Sequence, residues 1–396
     1  MARLAIDGGK AVRPHMLPYS HHCVDEADIT AVVETLRSEW LTTGPMVRKY
    51  EEAFAQQVVA THTVAVNSGT AALHAALFAV DIRPGDEVIT SPMTFAATAN
   101  SILYLGARPV FADVQPDTLN VDPKAVAAAI TPKTKAILAV DYTGQPADLQ
   151  ELGSLAKSAG IALIEDAAHA LGATYRTRPV GGISDVTAFS THPVKHITTG
   201  EGGMSATNDT KLAQRMRWFR NHGITSDHHQ RAEEDSWFYE MIALGYNYRL
   251  PDINCALGLS QLRKLGAWLA RRTEIAEQYS EAFKKMPAIQ PLAQRSDRTS
   301  GWHLYVVQLD LDALRVDRAQ VFAALRAENI GVNVHYIPVH LHPFYRQKLG
   351  TAPGLCPVAE GAYERILTLP LFPTMSEADV KDVVEAVLKV TSAFSI

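Results

Sequence analysis

The sequence predicts an α/β protein, with a large domain around a seven-stranded, mostly parallel sheet and a smaller C-terminal α+β domain. Three observations lead there. From about residue 60 to 207, short β-branched runs alternate with helical patterns, as in parallel strands joined by helical crossovers. At 396 residues the chain is longer than one hydrophobic core usually supports. After residue 252 the pattern changes to a long helical stretch followed by a few strands. The expected division is 1–265, an N-terminal arm and large domain, and 266–396, a connector helix and small domain.

In order, the expected strands are Val64–Val66, Val88–Ser91, Pro109–Val114, Ala136–Tyr142, Ile161–Glu165, Val186–Ser190 and Gly203–Thr207. Between the fourth and fifth lies a helix over 148–159, with Asp148 at its start and Gly160 as its stop. Residues 252–284 read as mostly helical, with Leu257, Leu259, Leu262 and Leu265 near an apolar face and the polar stretch 271–274 beyond. A strand over 303–309, a helix over 318–328 and a strand over 332–337 build the smaller domain. A last helix begins after Ser376, whose spacing to Asp379 fits a capping box, and turns Val380, Val383, Val384 and Val387 inward.

Composition excludes several classes. A formal charge of -5, with no Lys/Arg cluster interleaved with aromatics, excludes a nucleic-acid partner. No apolar leader opens the chain and no run approaches the ~20 residues that cross a bilayer, so a cytoplasmic protein without a membrane role is expected. Three scattered cysteines, Cys23, Cys255 and Cys356, read as reduced packing residues. His340 with His342, and the pairs His21–His22 and His228–His229, lack carboxylate or cysteine partners at ligand spacing, so no metal is expected.

The chemistry centres on Lys195, which follows the strand ending at Ser190 in an apolar, glycine-rich segment. Desolvation there lowers a lysine's pKa and frees a nucleophilic amine. Asp166 ends another strand, where open α/β sheets place their ligands, and is suited to protonating a pyridine nitrogen. Taken alone, it more often caps the helix that follows. Together, Lys195 and Asp166 suggest pyridoxal phosphate chemistry. His169 can meet a phenolic oxygen on the cofactor ring or sit satisfied in the core. Phe95 can stack on a planar heterocycle or pack inside. In the turn Asn67-Ser68-Gly69-Thr70-Ala71, free amides and a helix N-terminus can hold a phosphate, or the small residues can merely permit close packing.

The motifs Ser68-Gly69-Thr70-Ala71-Ala72-Leu73, Thr94 to Asn100, Glu165-Asp166-Ala167-Ala168-His169, Ser190 to Lys195 with Gly200-Glu201-Gly202-Gly203, and Gly245-Tyr246-Asn247-Tyr248-Arg249-Leu250 resemble the DegT/DnrJ/EryC1/StrS family of sugar aminotransferases. That resemblance implies the type I aminotransferase fold and pyridoxal 5′-phosphate held covalently on Lys195. It further implies Asp166 as the ring-nitrogen partner, His169 at the ring hydroxyl, Phe95 as the stacking aromatic, and Gly69, Thr70, Ala71 and Ser190 at the phosphate. Asn247 is implied to reach a neighbouring subunit's phosphate, hence a homodimer with shared sites.

Within the family, the segments 38–45, 192–203 and 331–340 are most similar to the pseudaminic acid branch, whose transaminase makes UDP-4-amino-4,6-dideoxy-N-acetyl-β-L-altrosamine. This likeness implies a UDP-sugar substrate, L-glutamate as donor, and sugar-nucleotide contacts at Tyr19, Glu39, Trp40, Leu41, Thr42, Gly69, Ser190, Asn247, Asn333, Val334, His335 and Tyr336. Related transaminases acting at C3, on dTDP-sugars or on UDP-4-keto-arabinose stay open. A dehydratase or a regulatory descendant of the fold is disfavoured, because Lys195 and Asp166 are both present. Thr191 stands where the family usually has an aromatic, and looser packing beside the strand is expected.

Overall fold

The computed structural model describes residues 3–226 and 235–396; His228 and His229 lie outside the described residues. The seven-stranded sheet has the order β1-β9-β8-β5-β4-β2-β3. Its strands are β1 (His62–Val66), β2 (Glu87–Thr90), β3 (Arg108–Phe111), β4 (Thr134–Val140), β5 (Ala162–Asp166), β8 (Val186–Ser190) and β9 (Gly203–Thr207). Only β9 runs antiparallel to its neighbours. β5 and β4 lie near the middle, and their cores read as apolar runs because helices cover both faces. Two short strands, β6 (Thr174–Tyr175) and β7 (Arg178–Pro179), pair with β11 (Arg298–Thr299) in a separate small sheet.

The helix Gly69–Ala79 is buried along most of its length between the sheet and its neighbours, which explains its run of alanines. Helix Leu149–Ala159 ends at Gly160, with φ 65, as expected. Asp148, however, makes no cap with its side chain: the carboxylate accepts from Gln115 Nε2 at 2.6 Å and pairs with Arg298 at 2.9 Å. A charged fork offers a carboxylate more than one backbone amide does.

The helical stretch is two helices, Asp252–Leu262 and Leu265–Phe283. Beyond them, β10 (Ile289–Pro291), β12 (Tyr305–Leu309) and β13 (Ile366–Leu369) form an antiparallel sheet backed by Arg318–Ala327 and Glu377–Phe394. The capping box of Ser376 and Asp379 is present, and Val380, Val383 and Val387 are buried. Leu4 and Leu17 from the N-terminal arm pack into this second core.

The expected strand over 332–337 does not form. Gly331 N–H donates instead to Leu17 O at 2.7 Å, and Asn333 pairs with Thr368 as an isolated bridge. The N-terminal arm occupies the edge that a longer strand would need, and the chain turns away towards the large sheet. Thr191 is fully buried and its hydroxyl meets that of Thr199 at 2.6 Å, so the expected loosening is absent.

Candidate active site

Turns following the carboxyl ends of four parallel strands supply the candidate residues, as open α/β sheets favour. After β1, Ser68 caps helix Gly69–Ala79 and its Oγ accepts from Ala71 N–H at 3.1 Å. Ala71 is thereby buried with its amide engaged, whereas Gly69 and Thr70 stay partly exposed. The first-turn amides have no intrahelical acceptor, and the helix end is positive. Two glycines make this turn possible. A Cβ on Gly69 would lie 2.8 Å from Ser190 Cβ, and one on Gly203 would lie 2.4 Å from Ser68 O.

At the end of β5, the Asp166 carboxylate accepts from Thr98 Oγ1 at 2.7 Å and from Ala168 N–H at 3.2 Å. Burial pushes its pKa up, and the two hydrogen bonds and the charge of Lys195 oppose that. Lys195 is part-buried, and burial lowers its amine to about 8 against the pull of Asp166. Its Nζ lies 3.3 Å from His303 Nε2.

The His169 ring sits 4.5 Å from that of His303, and its Nε2 is 3.0 Å from the Tyr336 hydroxyl. His169 Nδ1 is buried without a partner. Burial, and then Lys195 and the neighbouring His335 and His196, hold His169 well below the usual histidine range, so it is neutral. Phe95, after β2, is 62% exposed, which rules out the core-packing reading; its ring lies 6.2 Å from Tyr336.

From the other core come Tyr19 and the segment 333–336. The Tyr19 hydroxyl is hydrogen-bonded to Asn333 and its ring lies 5.3 Å from His335. His335 Nδ1 meets Thr368 Oγ1 at 2.9 Å, and Val334 packs between the two cores. Tyr19, Asn333, His335 and Tyr336 therefore join the cluster around Lys195, Asp166 and His169.

The remaining expected contacts lie elsewhere in the chain. Trp40 and Thr42 line a separate cleft of about 1600 Å³ with Glu51, Arg217 and Arg220, and none of Lys195, Asp166, His169 or Phe95 borders it. Glu39 and Leu41 are exposed, and Leu41 O accepts from Asp252 N–H. Asn247 is exposed on a bridge to Asn221, and its carbonyl accepts from Asn67 Nδ2 at 3.4 Å.

The model of the DegT/DnrJ/EryC1/StrS aminotransferase family matches residues 22–388. The chain belongs to this family. It is 46% identical over 377 residues to the spore coat polysaccharide biosynthesis protein SpsC of Bacillus subtilis, covering 95% of this chain and 97% of that one. Among solved structures it is similar to Helicobacter pylori PseC, an aminotransferase involved in the biosynthesis of pseudoaminic acid, with TM-score 0.89 and 34% identity over 96% of this chain and 100% of that one. It is equally similar in fold to the PLP form of a sugar aminotransferase, Spr1654, from Streptococcus pneumoniae, with TM-score 0.89 and 33% identity over 96% and 99% of the two chains.

The chain is thus a sugar aminotransferase of the type I fold, and pyridoxal 5′-phosphate is the cofactor of the DegT/DnrJ family. The residues present fit that group. A turn kept open by Gly69 and Gly203 suits a phosphate, the unpaired His169 Nδ1 awaits a polar partner, and a part-buried amine of lowered pKa sits near a buried carboxylate. Among the described residues, no helix is long and apolar enough to cross a membrane, and no group of three or more His, Cys, Asp or Glu is arranged around a metal position.

Sequence reasoning missed His303, Arg272, Asp141 and Glu165. His303 reads as the first residue of an apolar strand, and Arg272 as part of a polar surface stretch, yet both are buried. Asp141 and Glu165 are wholly buried carboxyls in contact with each other one step behind Asp166. An acidic residue closing each of two apolar runs was the available signal.

Proposed function

We propose that the chain moves an amino group from L-glutamate to C4 of a UDP-linked 2-acetamido-2,6-dideoxy-4-hexulose, giving UDP-4-amino-4,6-dideoxy-N-acetyl-β-L-altrosamine for pseudaminic acid. The observation that carries the transamination is Lys195, an amine near 8 facing the buried Asp166. The likeness to PseC and the gathering of Tyr19, Asn333, His335 and Tyr336 beside that pair support the sugar.

Bound pyridoxal phosphate would supply the electron sink for breaking bonds at the amino-bearing carbon. The rest falls to the chain. Gly69, Thr70 and Ser190 line the turn that would take the phosphate, with Ala71 fixing the Ser68 cap behind it, and Phe95 would cover one face of the ring. Asp166 would hold the ring nitrogen protonated by a charge-assisted bond, and His169 would meet the ring hydroxyl. Lys195 would hold the cofactor and, once released, move a proton to and from the substrate carbon, a role worth about 10² to 10⁴ in rate.

We also assign the chain to a homodimer with shared sites, divided near residue 265 into its two domains. Trp40 and Thr42 line a cleft apart from Lys195 within one chain, and Asn247 is exposed, with Leu244, three residues before it, 74% exposed, as a face awaiting a second copy would be. A cytoplasmic setting, where UDP-sugars and L-glutamate are supplied, belongs to the same reading.

The 46% identity to a spore coat polysaccharide protein favours a second reading, a related nucleotide-sugar transaminase with a different keto-sugar. Mass spectrometry of amino transfer from L-glutamate across UDP- and dTDP-linked 3-keto and 4-keto sugars separates the two. The UDP-2-acetamido-2,6-dideoxy-4-hexulose should gain nitrogen fastest, and preference for a dTDP-sugar or a C3 ketone overturns the first reading. Borohydride should fix the cofactor on the peptide containing Lys195.

A further inference from the structure

We propose that His303 is a positioning residue for Lys195, its imidazole accepting a hydrogen bond from the amine, and that the buried Arg272 holds the backbone strap that fixes this imidazole. The proposal rests on the reading of Lys195 as the reacting amine.

The contact itself is 3.3 Å between Lys195 Nζ and His303 Nε2. An amine donating to Nε2 requires a lone pair there, so the imidazole proton must sit on Nδ1. That Nδ1 is buried and has no partner. His303 is 3% exposed, with the rings of His169 at 4.5 Å and His196 at 5.7 Å. His196 Nε2 donates to Gly301 O at 2.8 Å, and burial followed by Arg272 lowers it to about 3, so it too is neutral. Burial first, and then Lys195, the neighbouring His169 and His196, and Arg272, hold His303 well below the usual histidine range, with Asp166 beyond Lys195 as the anion.

Arg272 is unusual for its burial. It lies on helix Leu265–Phe283 at 1% exposure, and among the described residues no carboxylate pairs with it. Its Nη1 donates only to carbonyls, Trp302 O at 3.1 Å and Leu371 O at 3.0 Å, and its Nε has no partner. Burial lowers the guanidinium to about 10, which still leaves it charged at neutral pH. A buried charge without a counter-ion is costly, and such costs concentrate where a site needs them.

Arg272 also grips the residue just before His303. Trp302 holds φ 48, a left-handed conformation rare for a bulky side chain, and Gly144 passes so close that a Cβ there would lie 2.7 Å from Trp302 N. The strap Gly301 to Leu304 is pinned to Thr143 and Gly144 by two backbone bonds, of 2.8 and 3.1 Å. Strain over-determined by its surroundings fixes the imidazole, and through it the direction of the Lys195 amine.

Two measurements on cofactor-free protein test this. Nitrogen-15 spectra of histidine-labelled wild type should show the His303 proton on Nδ1 and its Nε2 shifted by the accepted hydrogen bond, and Arg272→Met, which frees the strap, should lose that Nε2 shift. A proton on Nε2, or an unchanged Nε2 signal in folded Arg272→Met, overturns the corresponding half of the proposal. The pH dependence of Lys195 acylation should shift downward in His303→Phe, because the ammonium loses its acceptor, and return towards wild type in His303→Gln.

In the loaded enzyme, His303→Phe should lower kcat about 10²-fold with the sugar KM unchanged. Identical acylation profiles in all three proteins overturn the role of His303. Borohydride fixation on a different lysine would instead defeat the reading of Lys195, while the acylation profiles would still report on the contact with His303.

Discussion

Replacing Gly203 with alanine tests the phosphate turn at its tightest point. The new Cβ would sit 2.4 Å from Ser68 O, 2.6 Å from Ser68 C and 2.8 Å from Gly69 N, all backbone atoms that no rotamer can move. Restoring ordinary contact demands a displacement of about 1 Å. β9 cannot supply it, because it is paired on both sides. The Ser68–Gly69 turn must therefore give way. Overpacking of this kind costs about 1–3 kcal/mol, which for a chain of 396 residues lowers Tm by only about 1–4 °C.

The larger effect falls on the cofactor. Losing one amide–phosphate bond, worth about 1.5–3 kcal/mol, weakens binding by roughly 10- to 150-fold. Absorbance titration of cofactor-free protein with pyridoxal phosphate reads this, alongside a thermal melt. Gly266→Ala is the control: it meets nothing within 4 Å on a helix and should stabilise by about 0.5–1 kcal/mol without touching affinity. Wild-type cofactor affinity in folded Gly203→Ala would refute the placement of the phosphate at this turn.

Asp166→Asn should bind cofactor yet lose most turnover, and a near-normal kcat would reduce Asp166, which no helix follows, to an acceptor for Thr98 and the Ala168 turn. The rate at which cofactor-free protein captures pyridoxal phosphate should rise with pH through about 8, the point to which burial lowers Lys195. Asp166→Asn should move that midpoint down, since the aspartate's charge favours the ammonium; stopped-flow absorbance at varied pH decides. For the buried pair Asp141 and Glu165, burial raises both above the usual carboxyl range. Folding therefore takes up protons, so the pair's contribution is present below the unfolded carboxyl pKa of about 4 and is lost as pH rises through the raised folded value. Asp141→Asn should flatten that decline in urea-unfolding series, and parallel curves would refute it. Mixing inactive Lys195→Ala with inactive Asn247→Asp subunits should restore activity towards a quarter of wild type, and verified heterodimers that stay inactive would end the shared-site assignment.

What was legible in the sequence was whatever repeats locally. β-branched runs located all seven strands of the sheet, and residues at strand ends pointed to Asp166, Ser190 and Lys195, because sheet topology puts strand ends together. Partners distant in sequence were not legible. The 332–337 run is apolar enough for a strand, but whether it pairs depends on Leu17, some three hundred residues earlier. Phe95 could be separated from a core phenylalanine only by its exposure. His303 and Arg272 carry no local mark, since burial of a charged or titratable side chain is decided by elements that meet in space. Asp148 was assigned to the nearest helix, whereas a distant arginine claims it.

The N-terminal arm adds a consequence for the order of assembly. Ala5 N–H and Val12 N–H both donate to Glu328, and Leu4 and Leu17 complete a core whose last members are Val387 and Val390. On the ribosome, the arm is made early and waits, unpaired, until nearly the whole chain has emerged. The large sheet needs none of those contacts and can form first, as domains made earlier generally do. Tyr19 rides on the arm, so it reaches Asn333 and His335 only when the arm docks. A nascent chain can thus own a finished lysine and aspartate while the wall that Tyr19 builds with Asn333 and His335 is still missing.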